Sequence, residues 1–381
     1  MTDRFSADDH RHMARALQLA EQGLYTTDPN PRVGCVLVRD GVVVGEGAHL
    51  KAGEPHAEVH ALRAAGDLAR AATAYVTLEP CSHHGRTPPC ADALVKAGVT
   101  RVVAAMQDPN PLVAGQGLAR IAATGIATAS GLLELQARRL NPGFISRMER
   151  GRPFVRLKLA SSLDGRTAMQ SGESQWITGA AARTDVQRLR ARSSAIVTGV
   201  DTVLLDNAAL TVRAGELGLA PELAEQAASR QPLRVVLDSQ LRLPAGAKLL
   251  SLPGDVLIAT ALAQDHPRAL ALTRAGARIL SLPGAEGRVD LSALLALLAA
   301  EYQCNELLLE CGATLAGAAL QAGLVDELVL YMATTLLGSS ARPLLELPLE
   351  RMAQQQRLKL TDSRMLGEDL RLTLSCDGEN N

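Results

Sequence analysis

His56, Cys81 and Cys90, three side chains able to hold a metal, fall in one stretch with the carboxylate of Glu58. His56-Ala57-Glu58 opens the stretch, and Leu78-Glu79-Pro80-Cys81-Ser82-His83-His84-Gly85-Arg86-Thr87-Pro88-Pro89-Cys90 closes it. One imidazole and two thiolates can hold Zn²⁺ and leave its fourth position to water. Glu58, two residues from the His, is then a base beside the metal rather than a ligand. His-x-Glu followed by Pro-Cys and a second Cys is the pattern of zinc hydrolases that remove amino groups from heterocyclic bases. That pattern usually spaces its cysteines as Cys-x-x-Cys, whereas eight residues separate Cys81 from Cys90 here. The intervening residues 82–89 are polar, with Gly and a double Pro, and predict a loop at the pocket rim. A closed structural site with His83 or His84 as fourth ligand would have no need of Glu58. Buried, metal-free cysteines would leave three ligand types beside a carboxylate unexplained.

The elements around this stretch must meet a geometric condition. Residues two apart on a helix point away from each other. His56 and Glu58 therefore share a pocket only if His56 lies at the very start of a helix, and Pro55 suits a first turn. Cys81 and Cys90 are each expected at or near a helix N-terminus, where peptide dipoles favour thiolates. Upstream, Ser6 with Asp9 marks an N-cap, and Met13, Leu17, Ala20 and Leu24 mark one buried helical face. Asp28-Pro29-Asn30-Pro31 reads as a turn, 33–38 as a strand, Asp40-Gly41 as a hairpin turn and 42–44 as the return. Strands are expected at 74–78 and 101–105, helices at 91–97 and 132–140, and a β-turn-like end at 121–129. Strand alternating with helix predicts a three-layer α/β/α domain over residues 1–148.

Asn141-Pro142-Gly143 and the charged residues 147–153 read as a break between domains. A second domain over 153–376 has strands expected at 154–160, 194–199, 233–238 and 256–260, and helices at 184–191 and 291–302. The strand at 306–310 runs into Gly312 and a further helix. That arrangement is either a phosphate cradle or a plain tight strand–helix turn. A long strand at 325–332 and more β after Arg357 complete the chain.

Totals narrow the class. A chain of 381 residues has room for two domains. Net charge is −1 without a basic stripe, and aromatic residues make up 2%, which argues against a polynucleotide substrate. No apolar run reaches transmembrane length and no signal-peptide core is seen. Six cysteines without a disulfide framework fit a reducing cytoplasm. No nucleic-acid or membrane partner is expected.

These residues together resemble the bifunctional deaminase–reductases of riboflavin biosynthesis, over nearly the whole chain. The metal segment carries the likeness most specifically, with Asn30-Pro31-x-Val33-Gly34, Asp108-Pro109-Asn110-Pro111 and Gly115 beside it. In the second domain it rests on Lys158-Leu159-Ala160-x-Ser162-Leu163-Asp164-Gly165, Ser174-Gln175-Trp176-Ile177-Thr178, Asp206-Asn207, Leu210-Thr211-Val212-Arg213 and Glu310-x-Gly312-x-Thr314-Leu315-Ala316. Ala208 stands where the family pattern has Pro. The resemblance implies a cytidine-deaminase-like first domain and a dihydrofolate-reductase-like second one. It implies two successive reactions on one pyrimidine nucleotide. The amino group of a diaminopyrimidinone ring is hydrolysed, and NADPH then reduces the ribosyl to a ribityl chain. Zn²⁺ is implied at His56, Cys81 and Cys90, with Glu58 as the catalytic acid–base. Ala160, Trp176, Thr202, Asp206 and the run Gly312, Ala313, Thr314, Leu315, Ala316, Gly317 and Ala318 are implied to hold NADPH. Ser174, Arg190, Leu210, Arg213 and Glu310 are implied to hold the substrate, and arginine forks at 190 and 213 suit its phosphate. Asn30, His49, His83 and Arg86 are expected at the ribose and phosphate, and Lys158 and Asp164 near the reacting carbon. A homo-oligomer is expected. Two rivals stay open at this point: a deaminase of free nucleosides whose second domain serves assembly, and a zinc-stabilised binding protein.

Overall fold

The computed structural model describes residues 5–82, 89–111 and 113–376. The chain divides between Gly151 and Arg152 into two compact units. The first runs α1 (Ala7–Ala20), β1 (Gly34–Arg39), β2 (Val42–Ala48), α2 (Ala57–Ala65), β3 (Thr73–Val76), α3 (Cys90–Ala97), β4 (Arg101–Ala104), α4 (Gln116–Ala122), β5 (Ala127–Ser130), α5 (Glu134–Leu140) and α6 (Pro142–Arg150). Its sheet has the order β2-β1-β3-β4-β5, antiparallel across β2, β1 and β3 and parallel from β3 to β5.

Successive strand residues face opposite ways, and the two faces find separate partners. Cys35, Leu37, Ala74, Val76, Val102 and Ala104 pack with Ala57, Ala61, Leu94 and Ile121 of α2, α3 and α4. Val36, Val38, Tyr75 and Val103 pack with Met13, Ala16, Ala137 and Ile145 of α1, α5 and α6. The unit is therefore three layers. The hairpin between β1 and β2 turns through Asp40 (φ 52°) and Gly41 (φ 79°), the left-handed pair that a two-residue turn requires. The Ser6 cap is present: Asp9 N–H donates to the Ser6 hydroxyl and Ser6 N–H to the Asp9 carboxylate.

One expectation fails here and another holds in part. Residues 121–129 are not a β end alone, because α4 precedes β5 and holds Ile121 in the core. The segment 141–153, read as the break between domains, does contain the division after Gly151, but most of it is α6, which starts with Pro142 at its first position and stops at Gly151 in the left-handed region. Pro is well suited to that first position, so it opens a helix there instead of breaking one.

The second unit runs β6 (Phe154–Ser162), β7 (Arg166–Ala168), α7 (Ala180–Arg192), β8 (Ala195–Gly199), α8 (Val200–Asp206), α9 (Pro221–Ser229), β9 (Leu233–Leu237), α10 (Lys248–Ser251), β10 (Val256–Thr260), α11 (Pro267–Arg274), β11 (Arg278–Ser281), α12 (Leu291–Ala300), β12 (Glu306–Glu310), α13 (Ala313–Gln321), β13 (Glu327–Ala333), β14 (Arg342–Pro343), β15 (Lys359–Leu366) and β16 (Asp369–Ser375). Nine strands form one sheet in the order β11-β10-β9-β8-β12-β6-β13-β16-β15. Neighbours are parallel from β11 to β13, and the last two strands run antiparallel. Leu157, Val197, Leu257 and Leu309 face α12 and α13, while Ile196, Leu308, Val329 and Tyr331 face α7. The strand order reverses where β12 inserts between β8 and β6. In such sheets the crevice beyond the carboxyl ends at the reversal is where ligands bind.

Candidate functional site

His56 is the N-cap of α2, extended at φ −72° and ψ 166°, and Glu58 is the second residue of the helix. The required geometry is thus met by placing His56 just outside the helical turn. Gly47 of β2 lets the helix start come that close: a Cβ there would lie 2.2 Å from the Ala57 carbonyl oxygen. Cys90 is the first residue of α3. Cys81 lies in the segment after β3, not on a helix, but its Sγ accepts the Cys90 backbone N–H at 3.3 Å. The same helix N-terminus therefore serves both sulfurs.

The His56 Nδ1, Cys81 Sγ and Cys90 Sγ atoms lie within 4.8 Å of one another. Nδ1 is 3.7 Å from Cys81 Sγ and 3.4 Å from Cys90 Sγ. Tetrahedral zinc with ordinary Zn–N and Zn–S bonds spans about 3.5 Å between such atoms, so the donors already fit the ion. Contact with the Cys90 thiol pulls the Cys81 thiol down to about 4, against burial. The same contact, with burial, pushes Cys90 up.

Glu58 is 2% exposed, and its Oε2 has no hydrogen-bond partner. Burial pushes its carboxyl up to about 7, against the pull of His56. A buried oxygen without a partner is costly unless something binds there. That cost is the structural mark of a ligand-facing acid–base group.

His49 is not at the rim. It is 2% exposed, packs edge-on against His56 at 5.3 Å and has both nitrogens engaged. Its Nδ1–H donates to the Pro55 carbonyl at 3.1 Å, leaving Nε2 to accept the Asn30 side-chain N–H at 3.1 Å. Burial lowers its pKa, so it stays neutral and fixes the Pro55–His56 backbone. His83 and Arg86 lie outside the described residues. Sequence reasoning passed over Glu79, a buried carboxylate that accepts the backbone N–H groups of Asp108, Gly115 and Leu118 at 2.8–3.1 Å. A Glu between Leu and Pro before a ligand Cys carries no periodic signal of such a role.

In the second unit, Lys158 of β6 pairs in register with Glu310 of β12. Arg190 of α7 forks the Glu310 carboxylate at 2.6 and 2.8 Å and donates to the Thr211 carbonyl at 3.3 Å. Burial works against the Glu310 carboxylate, yet Arg190 holds its pKa below the usual value. Burial lowers the Lys158 pKa, and its Nζ sits 5.9 Å from the Tyr331 ring centre. Tyr331 in turn donates to Asp185 at 2.6 Å, which Arg371 also contacts at 3.0 Å. Arg213 is exposed and paired with Glu216, and Ser174 is half-buried two residues before Trp176.

Four residues have surroundings that differ from those implied by resemblance. Asp164 is committed as an acceptor: its oxygens take the Leu337 and Gly338 N–H groups at 3.1 and 2.8 Å and the Ser162 hydroxyl, which pulls it down to about 2. It fastens the turn at 336–338 and has no proton to give at neutral pH. The Leu210 side chain is 2% exposed and lies in the core with Leu189 and Tyr331, so only its backbone can face a substrate. Ala316 is fully buried in the core, and a Cβ on Gly317 would lie 2.0 Å from the Glu346 carbonyl oxygen, so both support the loop rather than line it.

The other implied cofactor residues cluster by topology. Ala160 is on β6, Thr202 and Asp206 are on α8 after β8, and Gly312 caps α13 after β12. Gly199 and Leu315 bring the last two connections together, a Cβ on the former lying 3.8 Å from the latter. No side chain caps α13, leaving its first amides open to an anion. Thr198 Oγ1 and Asp238 Oδ1, beside the ends of β8 and β9, are buried without hydrogen-bond partners. The open amides of α13 fit a dinucleotide phosphate. Trp176 is 70% exposed with the Arg183 guanidinium 4.7 Å from its ring centre.

Comparison with known proteins agrees with both halves. Residues 6–106 match the cytidine and deoxycytidylate deaminase zinc-binding region, and residues 153–372 match the RibD C-terminal domain. The riboflavin biosynthesis protein RibD of Escherichia coli K12 is 54% identical over 368 residues, 96% of this chain and 99% of that protein. The corresponding Haemophilus influenzae protein is 48% identical over 377 residues, 98% and 99% of the two chains. The structure of Acinetobacter baumannii RibD (form 1) superposes with a TM-score of 0.88 at 50% identity, covering 97% of this chain and 98% of that one. A Thermotoga maritima diaminohydroxyphosphoribosylaminopyrimidine deaminase/5-amino-6-(5-phosphoribosylamino)uracil reductase gives 0.83 at 31% identity with the same coverage. With His56, Cys81 and Cys90 converged in one unit, both family models matched and such relatives end to end, the chain belongs to the RibD family of bifunctional deaminase–reductases.

Proposed function

We propose that residues 1–148 hydrolyse the 2-amino group of 2,5-diamino-6-(5-phosphoribosylamino)pyrimidin-4(3H)-one and that residues 153–376 reduce the resulting uracil's ribosyl group to ribityl with NADPH. The enzyme is a zinc hydrolase and an NADPH oxidoreductase acting in riboflavin biosynthesis. The observation that carries the first assignment is the converged His56, Cys81 and Cys90 donors with buried Glu58 beside them, its Oε2 unpaired.

When bound, Zn²⁺ supplies Lewis acidity that brings the pKa of water toward ~7. Glu58 takes a proton from the attacking water and gives it to the ring nitrogen; it then takes the proton of the new hydroxyl and gives it to the amino group, which leaves as ammonia. Water thus gives its oxygen to the ring carbon as the C–N bond breaks. The group's raised proton affinity suits both roles near neutral pH, and such transfer is worth roughly 10²–10⁴-fold. In the second unit NADPH supplies the hydride. Lys158, with its lowered pKa beside Glu310 and Arg190, is placed to give the proton that completes reduction at C1′. Arg190 keeps Glu310 ionised as an acceptor for substrate hydroxyls, and exposed Arg213 is free to exchange Glu216 for phosphate.

Among the described residues no helix is long and apolar enough to cross a membrane. A cytoplasmic setting is in line with the likeness to bacterial RibD proteins over nearly the whole chain. Leu360 and Met365 are more than half exposed on the edge strand β15, which supports a homo-oligomer.

The test is Glu58→Gln. Ammonia release should fall by roughly 10²–10⁴-fold, while one zinc stays bound and NADPH oxidation on the deaminated nucleotide continues. Retained deamination would remove Glu58 from the mechanism. Failure to oxidise NADPH with the deaminated nucleotide, in the unaltered protein, would instead favour a single-activity deaminase.

A further inference from the structure

The two ligand cysteines sit on different segments, and three links tie those segments together. Two are direct: the Cys90 N–H donates to Cys81 Sγ at 3.3 Å, and the Ala91 N–H donates to the Cys81 carbonyl at 3.1 Å. The third comes from outside, from α4. Arg120 Nη1 donates to the Ser82 carbonyl at 3.0 Å, one residue after Cys81. Its Nε and Nη2 fork the Asp92 carboxylate at 2.7 and 2.8 Å, two residues after Cys90.

The seating of α4 makes this reach possible. Gly117 stands where a Cβ would lie 1.9 Å from the Pro80 carbonyl oxygen, so the helix lies directly on the residue before Cys81. Glu79, on the other side of that proline, accepts the N–H groups of Gly115 and Leu118 at the start of the same helix. Helix α4 is thus anchored to one cysteine segment through Glu79 and Gly117, and bridges from it to the other through Arg120.

We propose that Arg120 is a positioning residue for the metal centre, holding the Cys81 and Cys90 segments at the separation that the ion needs. This inference rests on the zinc assignment above. The guanidinium suits the task because its planar fork fixes two contacts while its third nitrogen reaches a carbonyl. Its partners are half open to water, with 44% of the Arg120 side chain and 36% of the Asp92 side chain exposed. A pair so exposed contributes little to folding. Its effect falls instead on ligand spacing, where outer contacts of this kind typically change metal affinity by about 10–100-fold.

The experiment compares the zinc-loaded full chain with its Arg120→Ala, Arg120→Lys and Asp92→Asn variants. Zinc release to a chromogenic chelator is followed alongside melting of the metal-free protein. Release should accelerate about tenfold or more in Arg120→Ala. Arg120→Lys should fall between, since one ammonium cannot span both partners. The Arg120→Ala/Asp92→Asn double variant should be no faster than Arg120→Ala by the product of the single effects. Melting of the metal-free protein and NADPH oxidation on the deaminated nucleotide should stay unchanged. Unchanged zinc release in Arg120→Ala would overturn the proposal. So would faster release accompanied by an equal loss of metal-free stability, which marks a general structural role. If the protein bound no zinc at all, the metal assignment would fail rather than the role of Arg120.

Discussion

Trp176 lays most of its indole open to solvent, with the Arg183 guanidinium near its ring. A large apolar ring left exposed in the turn before α7 is ready to be covered. It is also the only tryptophan in the chain, so its emission reports one place. NADPH should quench that emission saturably, and Trp176→Phe should remove the signal. Loss of indole contact area should raise the KM for NADPH about three- to tenfold, as expected for one aromatic contact. Emission unchanged at saturating NADPH would place the cofactor elsewhere. The same scale shows why residue type alone misplaces some side chains. His49 and Asp164 are polar residues next to glycines and prolines, which from sequence reads as a solvated loop. The fold instead engages both nitrogens of His49, and three donors converge on the Asp164 carboxylate.

At the scale of elements, α1 is fixed to the sheet by a buried carboxylate. Asp9 caps its own helix through Ser6, accepts the Tyr75 hydroxyl at 2.7 Å and is forked by Arg101 at 2.7 and 3.2 Å. Burial works against its charge, but Arg101, Tyr75 and the Ser6 N–H together hold its pKa well below the ordinary value of about 3.9. A carboxyl with a depressed folded pKa stabilises the fold above its unfolded value and loses that contribution as pH falls through the folded one. Asp9→Asn should therefore cost about 2 kcal/mol at pH 7, less than the ~3–5 of a fully buried pair because Arg101 keeps a third of its surface in water. The difference from the unaltered protein should be constant above about pH 5 and shrink below about pH 4. A difference that grew on acidification, measured by urea unfolding, would contradict the assignment. This cap was legible because Ser-x-x-Asp is local. Helix α4 was not: it is seven residues long, starts at a glycine with φ 77° and carries Gly117 inside. Both glycines lower its helical signal, and both are there for tertiary reasons that no local pattern contains. The metal triad stood out because its donors are rare residue types within one stretch. Arg190 and Glu310 meet across 120 positions, and only the family resemblance linked them before the strands did.

At the scale of the whole molecule, each unit carries its own sheet and its own core, and the chemistry divides the same way. His56, Glu58, Cys81 and Cys90 all lie before Gly151, whereas Lys158, Arg190, Glu310 and the α13 loop all lie after it. The donors for the ion and the crevice residues thus belong to different units, so metal and hydride chemistry should be separable in one intact chain. Treating the full protein with a strong zinc chelator should abolish ammonia release from the diaminopyrimidinone nucleotide. NADPH oxidation supported by the already deaminated nucleotide should persist at its original rate. Supplied with the first nucleotide alone, the chelated protein should oxidise no NADPH, and adding Zn²⁺ back should restore oxidation after a lag set by deamination. The lag distinguishes an obligatory order from two independent activities, because the reductase can begin only once product has accumulated. Should NADPH oxidation on the deaminated nucleotide decline in step with zinc loss, the ion would be supporting both units, and the division of chemistry at Gly151 would be wrong.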